Sequence, residues 1–132
     1  MDLAELIDEV VSGTESEVEA LSAEDEAFVD EFNKAEAASE EDIELLRFKN
    51  VIRKNGRCGF ASGGSKDYLV NTDRGARYRV TVRTRWRQGI NSGQNDRVHV
   101  IAAGSRKYLG CTDSGSIPVA YYSRSVVGEE KL

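Results

Sequence analysis

Five arginines, Arg77, Arg79, Arg83, Arg85 and Arg87, sit at odd positions of the segment ARYRVTVRTRWRQG (76–89), with only Thr81 between them. A guanidinium presents a planar fork of N–H donors that fits carboxylate and phosphate oxygens alike. The chemistry on offer is recognition of anions rather than the making of bonds. Three kinds of neighbour satisfy such a row. One is water over a solvated face. Another is an acidic protein surface, including this chain's own N-terminal segment. The third is a nucleic-acid backbone. Sheets that bind nucleic acid usually add exposed stacking aromatics. Tyr78 and Trp86 fall at even positions here, on the opposite face, which disfavours that third reading.

The remaining chemistry-bearing residues are sparse. His99 is the single histidine, and no serine or cysteine motif offers it a catalytic partner. Its alternation with Val98 and Val100 predicts a solvent-facing ring beside the arginines. In the basic part of the chain, Asp67, Asp73, Asp96 and Asp113 lie near predicted turns, where Asp commonly supports the turn itself. The glycine-rich SGGSK (62–66) reads as a hairpin loop rather than a phosphate cradle. Cys58 and Cys111 form no CxxC or CxxH arrangement, so no metal site is expected. No cofactor motif is present. The chain is expected to be a binding module and not an enzyme.

These residues need elements to position them. The alternation in RYRVTVRTRWR predicts the longest strand. Around it stand DYLVN, RVHVIAA, YLGCT and IPVAYYSRSVV, separated by NTDRG, QGINSGQND, GSRK and DSGS. The last strand should bend near Tyr121-Tyr122, where its apolar positions change phase. RCGFAS is a further candidate. Short strands between turn residues predict an all-β antiparallel sandwich, Ig-like or a related small barrel. The likeness to immunoglobulin domains stops at layout: Trp86 lies 28 residues after Cys58, and Leu109 stands two before Cys111 where a tyrosine is usual. The expected core is Phe60, Leu69, Tyr78, Val80, Val82, Trp86, Val98, Val100, Leu109, Val119 and Val126.

Charge divides the chain. Residues 1–46 hold 17 Asp or Glu against Lys34, a balance of −16; residues 47–132 carry +11, which together give the net −5. The acidic part is partly disordered or forms two or three short helices. Leu3, Leu6, Ile7 and Val10 make an apolar stripe flanked by acids, the shape of a helix that lies in a groove. Ser22 and Asp25 resemble a capping box ahead of Phe28, Phe32 and Ala35. A third helix is expected to run from Ser39 and stop at Asn55-Gly56, in preference to a hairpin joining VIRK to RCGF.

The predicted organisation is an acidic segment over 1–46, a helix end and linker over 47–56, a β domain over 57–128 and a tail over 129–132. No apolar run of 18 residues occurs, and the N-terminus lacks the basic and apolar regions of a secretory signal. The expectation is a soluble cytoplasmic protein with reduced thiols and no membrane contact. Its expected partner is a protein with an acidic or groove-like surface, with nucleic acid as the alternative.

Overall fold

The computed structural model describes residues 18–38, 48–59, 63–115 and 117–132. The elements in chain order are β1 (Glu19–Ala20), α1 (Ala23–Ala38), β2 (Asn50–Arg57), β3 (Ser65–Asn71), β4 (Tyr78–Gln88), β5 (Asn91–Ile101), β6 (Ser105–Cys111) and β7 (Ala120–Lys131). They form two antiparallel sheets, β1-β6-β3-β2 and β5-β4-β7.

The sheets pack face to face through the inward positions of their strands. Leu69 from one sheet meets Tyr78, Val80, Val82 and Ile101 from the other, with Ile52, Leu109 and Val126 around them. Leu69, Val80 and Ile101 are fully buried. Each such side chain contributes about 1.5–3 kcal/mol. Of the expected core, Leu69, Tyr78, Val80, Val82 and Val100 are buried. Trp86, Leu109, Val119 and Val126 are half-buried. Val98 is exposed, and Phe60 lies outside the described residues.

One helix occurs among the described residues, not two or three. Its start is the reciprocal cap the sequence suggests. The Asp25 N–H donates to Ser22 Oγ, and the Ser22 N–H donates to Asp25 Oδ2. Its buried stripe is Asp25, Val29, Phe32 and Glu36. Two of those four are acids, so the helix docks through ion pairs as well as apolar contact. Asp25 meets Arg106 at 3.0 Å and Arg53 at 3.5 Å, and Glu36 meets Lys49 at 2.6 Å. Arg53 also lies over the Phe28 ring. Arg53, Tyr68 and Arg106 share one face of the four-stranded sheet by register, so α1 covers that face and leaves the other for the core. Ala35 is exposed rather than part of the stripe. The apolar stripe Leu3, Leu6, Ile7 and Val10 lies outside the described residues, as does the segment 39–47.

Several expectations are corrected. Residues 50–56 are strand, not a helix end: Val51 and Ile52 pair with Val70 and Leu69. Asn55-Gly56 is neither helix stop nor hairpin turn. It lies at a bulge where the register shifts between Lys54 and Arg57, and Gly56 carries the left-handed φ of +90°. Cys58 and Gly59 fall outside the strands, so RCGFAS supplies only Arg57 to one among its described residues.

QGINSGQND is not a loop. Gly89-Ile90 is a two-residue turn, and Asn91–Ile101 pairs with the full length of β4. β6 begins at Ser105, inside the expected GSRK turn. The irregularity in β7 lies at Val126–Gly128, not at Tyr121-Tyr122. Residues 129–131 are no tail, since they continue β7 as far as the pair Tyr78↔Lys131.

Candidate functional site

Register places the five arginines as alternation predicts. Their face of the three-stranded sheet is turned away from the core, and neighbouring strands decide what each one meets. Arg79 lies opposite Glu130 and forms an ion pair with it. Arg83 lies opposite Asp96 and is held by two bonds, at 2.9 and 3.2 Å. That bond is the main reason the Asp96 carboxyl sits below the usual carboxylate range. Arg85 donates to Gln94 Oε1 at 3.4 Å. Arg87 stands over the Tyr121 ring, 5.9 Å from its centroid. The Arg77 carbonyl accepts from the Leu132 N–H. Carboxylates thus meet Arg79 and Arg83, whereas Arg85 and Arg87 meet an amide and a phenol ring. Tyr121, Val98 and Val127 add exposed apolar surface, and Tyr121 brings to this face the aromatic that β4 itself withholds.

The described acidic residues do not lie against that face. Glu19, Asp25, Glu26, Asp30 and Glu36 pair with Arg106, Arg53, Arg74 and Lys49, none of them on β4. Among the described residues, ion pairs join the acidic segment to the basic part of the chain through cations other than those of the arginine strand.

A second feature lies between the sheets. A cleft of about 420 Å³ is lined by Val82, Thr84, Asn95, Arg97, His99, Lys107, Tyr108, Leu109, Tyr122 and Arg124. Two polar bridges cross the sandwich here. Lys107 Nζ lies 3.0 Å from His99 Nδ1, and Arg124 Nη1 donates to Asp67 Oδ2 at 2.9 Å. His99 therefore does not point to solvent beside the arginines. It lies opposite Val80, whose side chain is fully buried, while Val98 takes the outer face opposite Thr81. Burial, then Lys107 and Arg97, push the imidazole down to about 4. A neutral ring whose Nδ1 accepts from Lys107 carries its proton on Nε2.

Of the four aspartates, Asp73 is a turn residue as expected. Burial alone raises it, but the Gly75 N–H and the Tyr78 hydroxyl outweigh that and lower it. Tyr78 in turn is raised, by burial and by Asp73. Asp67 departs from the expectation, being buried within β3 and paired with Arg124 and Lys54. Asp96 lies within β5, and the buried Asp113 bridges to Tyr121.

Cys58 and Cys111 are joined as a disulfide, which corrects the expectation of two thiols. The reason is positional. The bridge ties the end of β2 to the end of β6, beside the bonds Cys58 N to Gly64 O and Thr112 N to Ser65 O. Among the described residues no group of three His, Cys, Asp or Glu is placed to hold a metal. Nor is any described helix long and apolar enough to cross a membrane.

Sequence reasoning passed over Arg97, Lys107, Tyr121 and Arg124. A signal for one of them was present: Arg97 shares the phase of His99, opposite to Val98 and Val100, and the apolar pair reads as the inward one. No family model, curated protein or solved structure matches this chain.

Proposed function

We propose that this protein is a small non-enzymatic interaction module. Its basic β domain engages charged protein surface through Arg77, Arg79, Arg83, Arg85 and Arg87. Its acidic segment offers Leu3, Leu6, Ile7 and Val10 as an amphipathic helix for a partner's groove. The observation that carries the first half is the mixed character of the arginine face. Asp96 and Glu130 stand among the arginines, and Val98, Tyr121 and Val127 are exposed beside them. A surface that follows phosphates gains nothing from carboxylates bonded to its cations, whereas apolar patches rimmed by both signs of charge suit a protein partner. Arg85 and Arg87, with no carboxylate against them among the described residues, are the cations with most to give.

One observation favours a nucleic-acid partner instead. Tyr121 is half exposed beside Arg87 and Arg85, and an aromatic next to free guanidinium donors is how single strands are held. In that alternative the acidic segment competes with phosphate for the arginines.

The cytoplasmic location expected from the sequence stands against the Cys58–Cys111 bridge. Disulfides persist in oxidising compartments, and the bridge favours one of those.

The test is a pull-down at low and high salt, analysed for protein and nucleic acid, with the full chain and its Arg85→Gln/Arg87→Gln variant. A protein retained at low salt by the parent and lost by the variant supports the module. Sub-micromolar binding of RNA or DNA at about 150 mM salt, weakened alike on all sequences by the variant, establishes the alternative.

A further inference from the structure

The outer edges of the two sheets are not alike. Backbone donors and acceptors along an edge pair readily with another strand, so edges usually carry a guard. On β2 the Glu129 carboxylate accepts from the N–H groups of Lys49 and Asn50, and the ladder is bulged between Lys54 and Arg57. β1 covers the start of β6, and β7 is irregular between Val126 and Gly128. β5 differs. Its eleven residues pair with β4 without a register shift and include no proline or lysine. Its opposite edge has no partner strand among the described residues. Asn91 to Val98 are exposed except for half-buried Gly93.

The direction of the backbone groups follows from the turn. Gly89-Ile90 is a two-residue turn, so its closing pair Gln88↔Asn91 is a hydrogen-bonded one. Bonded pairs recur at every second position. Ser92, Gln94, Asp96 and Val98 therefore aim their N–H and C=O groups away from β4. The bond from the Leu132 N–H to the Arg77 carbonyl agrees, because it assigns the odd residues of β4 to β7.

A two-fold axis normal to the sheet keeps each face on its own side, so odd residues of β5 would meet odd ones and even residues even ones. Centring such a pair on Asp96 opposes two carboxylates. Centring it on Arg97 opposes two guanidiniums. Like charges directly opposite are unfavourable. The longest register free of both is centred on Asn95. It sets Asp96 against Gln94, Val98 against Ser92 and Arg97 against Gly93. Trp86 lies over Gly93, since a Cβ there would fall 2.8 Å from Trp86 Cζ2. The glycine leaves room for the incoming guanidinium to reach the indole, a cation–π contact.

We propose that β5 pairs with β5 of a second copy of this chain, antiparallel about a two-fold axis at Asn95, and joins the two three-stranded sheets edge to edge. In this register the strand is its own complement, which is what a two-fold interface requires. The edge is separate from Arg85 and Arg87 on β4, so the dimer and the arginine interface stand or fall independently.

Sedimentation equilibrium of the full chain from about 1 μM to about 1 mM is the first measurement. The expected result is a rise to twice the chain mass and no larger species, because a two-fold pairing closes on itself. Trp86 is the single tryptophan, so its fluorescence should change along the same isotherm. Asn95 meets its own copy at the axis. Asn95→Asp and Asn95→Lys should each weaken self-association about tenfold, and an equimolar mixture of the two should pair as the parent does. Asn95 is exposed, so both variants should keep the parent's circular dichroism. Arg85→Gln with Arg87→Gln should dimerise as the parent does. The amides of Ser92, Gln94, Asp96 and Val98 should exchange rapidly in the dilute monomer and become protected in the dimer. A chain that stays monomeric throughout overturns the proposal and leaves the edge to an extended segment of another protein. It is equally overturned by self-association that both Asn95 variants retain, or by a mixture that fails to restore pairing. Slow exchange at those four amides in the monomer would show the edge covered from within its own chain, and also overturns it.

Discussion

Arg124 of β7 donates to the Asp67 carboxylate of β3 at 2.9 Å, across the interior of the sandwich, with 10% and 1% of the two side chains exposed. The same guanidinium also reaches the Cys111 carbonyl at 3.0 Å. Gly110 makes room for it: a Cβ there falls 2.8 Å from Arg124 Nη2, and its φ of +131° is unfavourable for other residues. One polar bridge thus ties together the two sheets and the strand end that carries the disulfide.

Removing Arg124 leaves the buried Asp67 carboxylate with only the exposed Lys54, at 3.4 Å, as a counter-charge. Arg124→Met is expected to destabilise the fold by about 3–5 kcal/mol, whereas replacing both partners, Asp67→Leu with Arg124→Met, recovers most of that loss. Urea denaturation of the three proteins is the check. Equal losses in the single and double variants would show that packing, not charge, sets the cost.

His99 supplies a pH dependence of known sign. Its folded-state value is about 4 against an ordinary 6.5, so between these values the unfolded chain binds a proton that the folded chain refuses. Stability is unaffected above the upper value and falls as pH drops through the window. With partial solvent access to the ring, the loss amounts to about 1–2 kcal/mol. His99→Gln should lack this component, so its stability curve converges on the parent's towards low pH. Parallel curves would contradict the buried, neutral imidazole.

The disulfide predicts a redox-dependent stability. Reduction, or Cys58→Ser with Cys111→Ser, opens a 53-residue connection and should cost about 4 kcal/mol on the chain-entropy account. Protein denatured directly from its native source in the presence of a thiol label should take up label only after reduction. Full labelling without reductant would return the protein to a reducing compartment.

Two variants separate the cap of α1 from its docking. Ser22→Ala removes a cap oxygen and should cost about 1 kcal/mol. Asp25→Ala removes a cap oxygen and also a buried carboxylate shared by Arg106 and Arg53, so its cost should reach about 3 kcal/mol. If both variants lose the same amount by urea denaturation, the ion pairs contribute nothing to holding the helix on the sheet.

The arginine pair that defines the proposed interface should be separable from folding. Arg85 and Arg87 make no contact with a carboxylate among the described residues and lie on the outer face. Arg85→Gln with Arg87→Gln should shift stability by no more than about 0.5 kcal/mol. A larger loss would mark these side chains as structural and weaken the proposed interface.

The legible parts of this chain are those in which a strand declares its own period. β4 alternates without interruption, so its arginine face and the buried Tyr78, Val80 and Val82 follow from the residues alone. Ser22 and Asp25 announce the helix start because a cap is local chemistry. β5 was not legible in its first half. Asn91, Ser92, Gly93, Gln94, Asn95 and Asp96 resemble a loop by composition, and become strand because β4 supplies a partner for every one. Gly93 lies opposite Trp86, and Asp96 opposite Arg83, pairings that no local pattern contains. Segment 50–56 failed for the converse reason: its charges fit a helix end, and Val70 and Leu69 across the sheet made it strand.

By itself, the sequence determined the alternation of β4, the β-rich class, the division of charge and the cap of α1. Each of these depends on residues within one turn or one strand of each other, where backbone geometry alone relates them. Tertiary structure alone decided which face His99 occupies, that Asp67 is a buried partner of Arg124, that Cys58 meets Cys111, and which arginines retain donors to offer. Those relations join strands far apart in the chain. Register sets them, and register is a property of two strands together that neither carries alone.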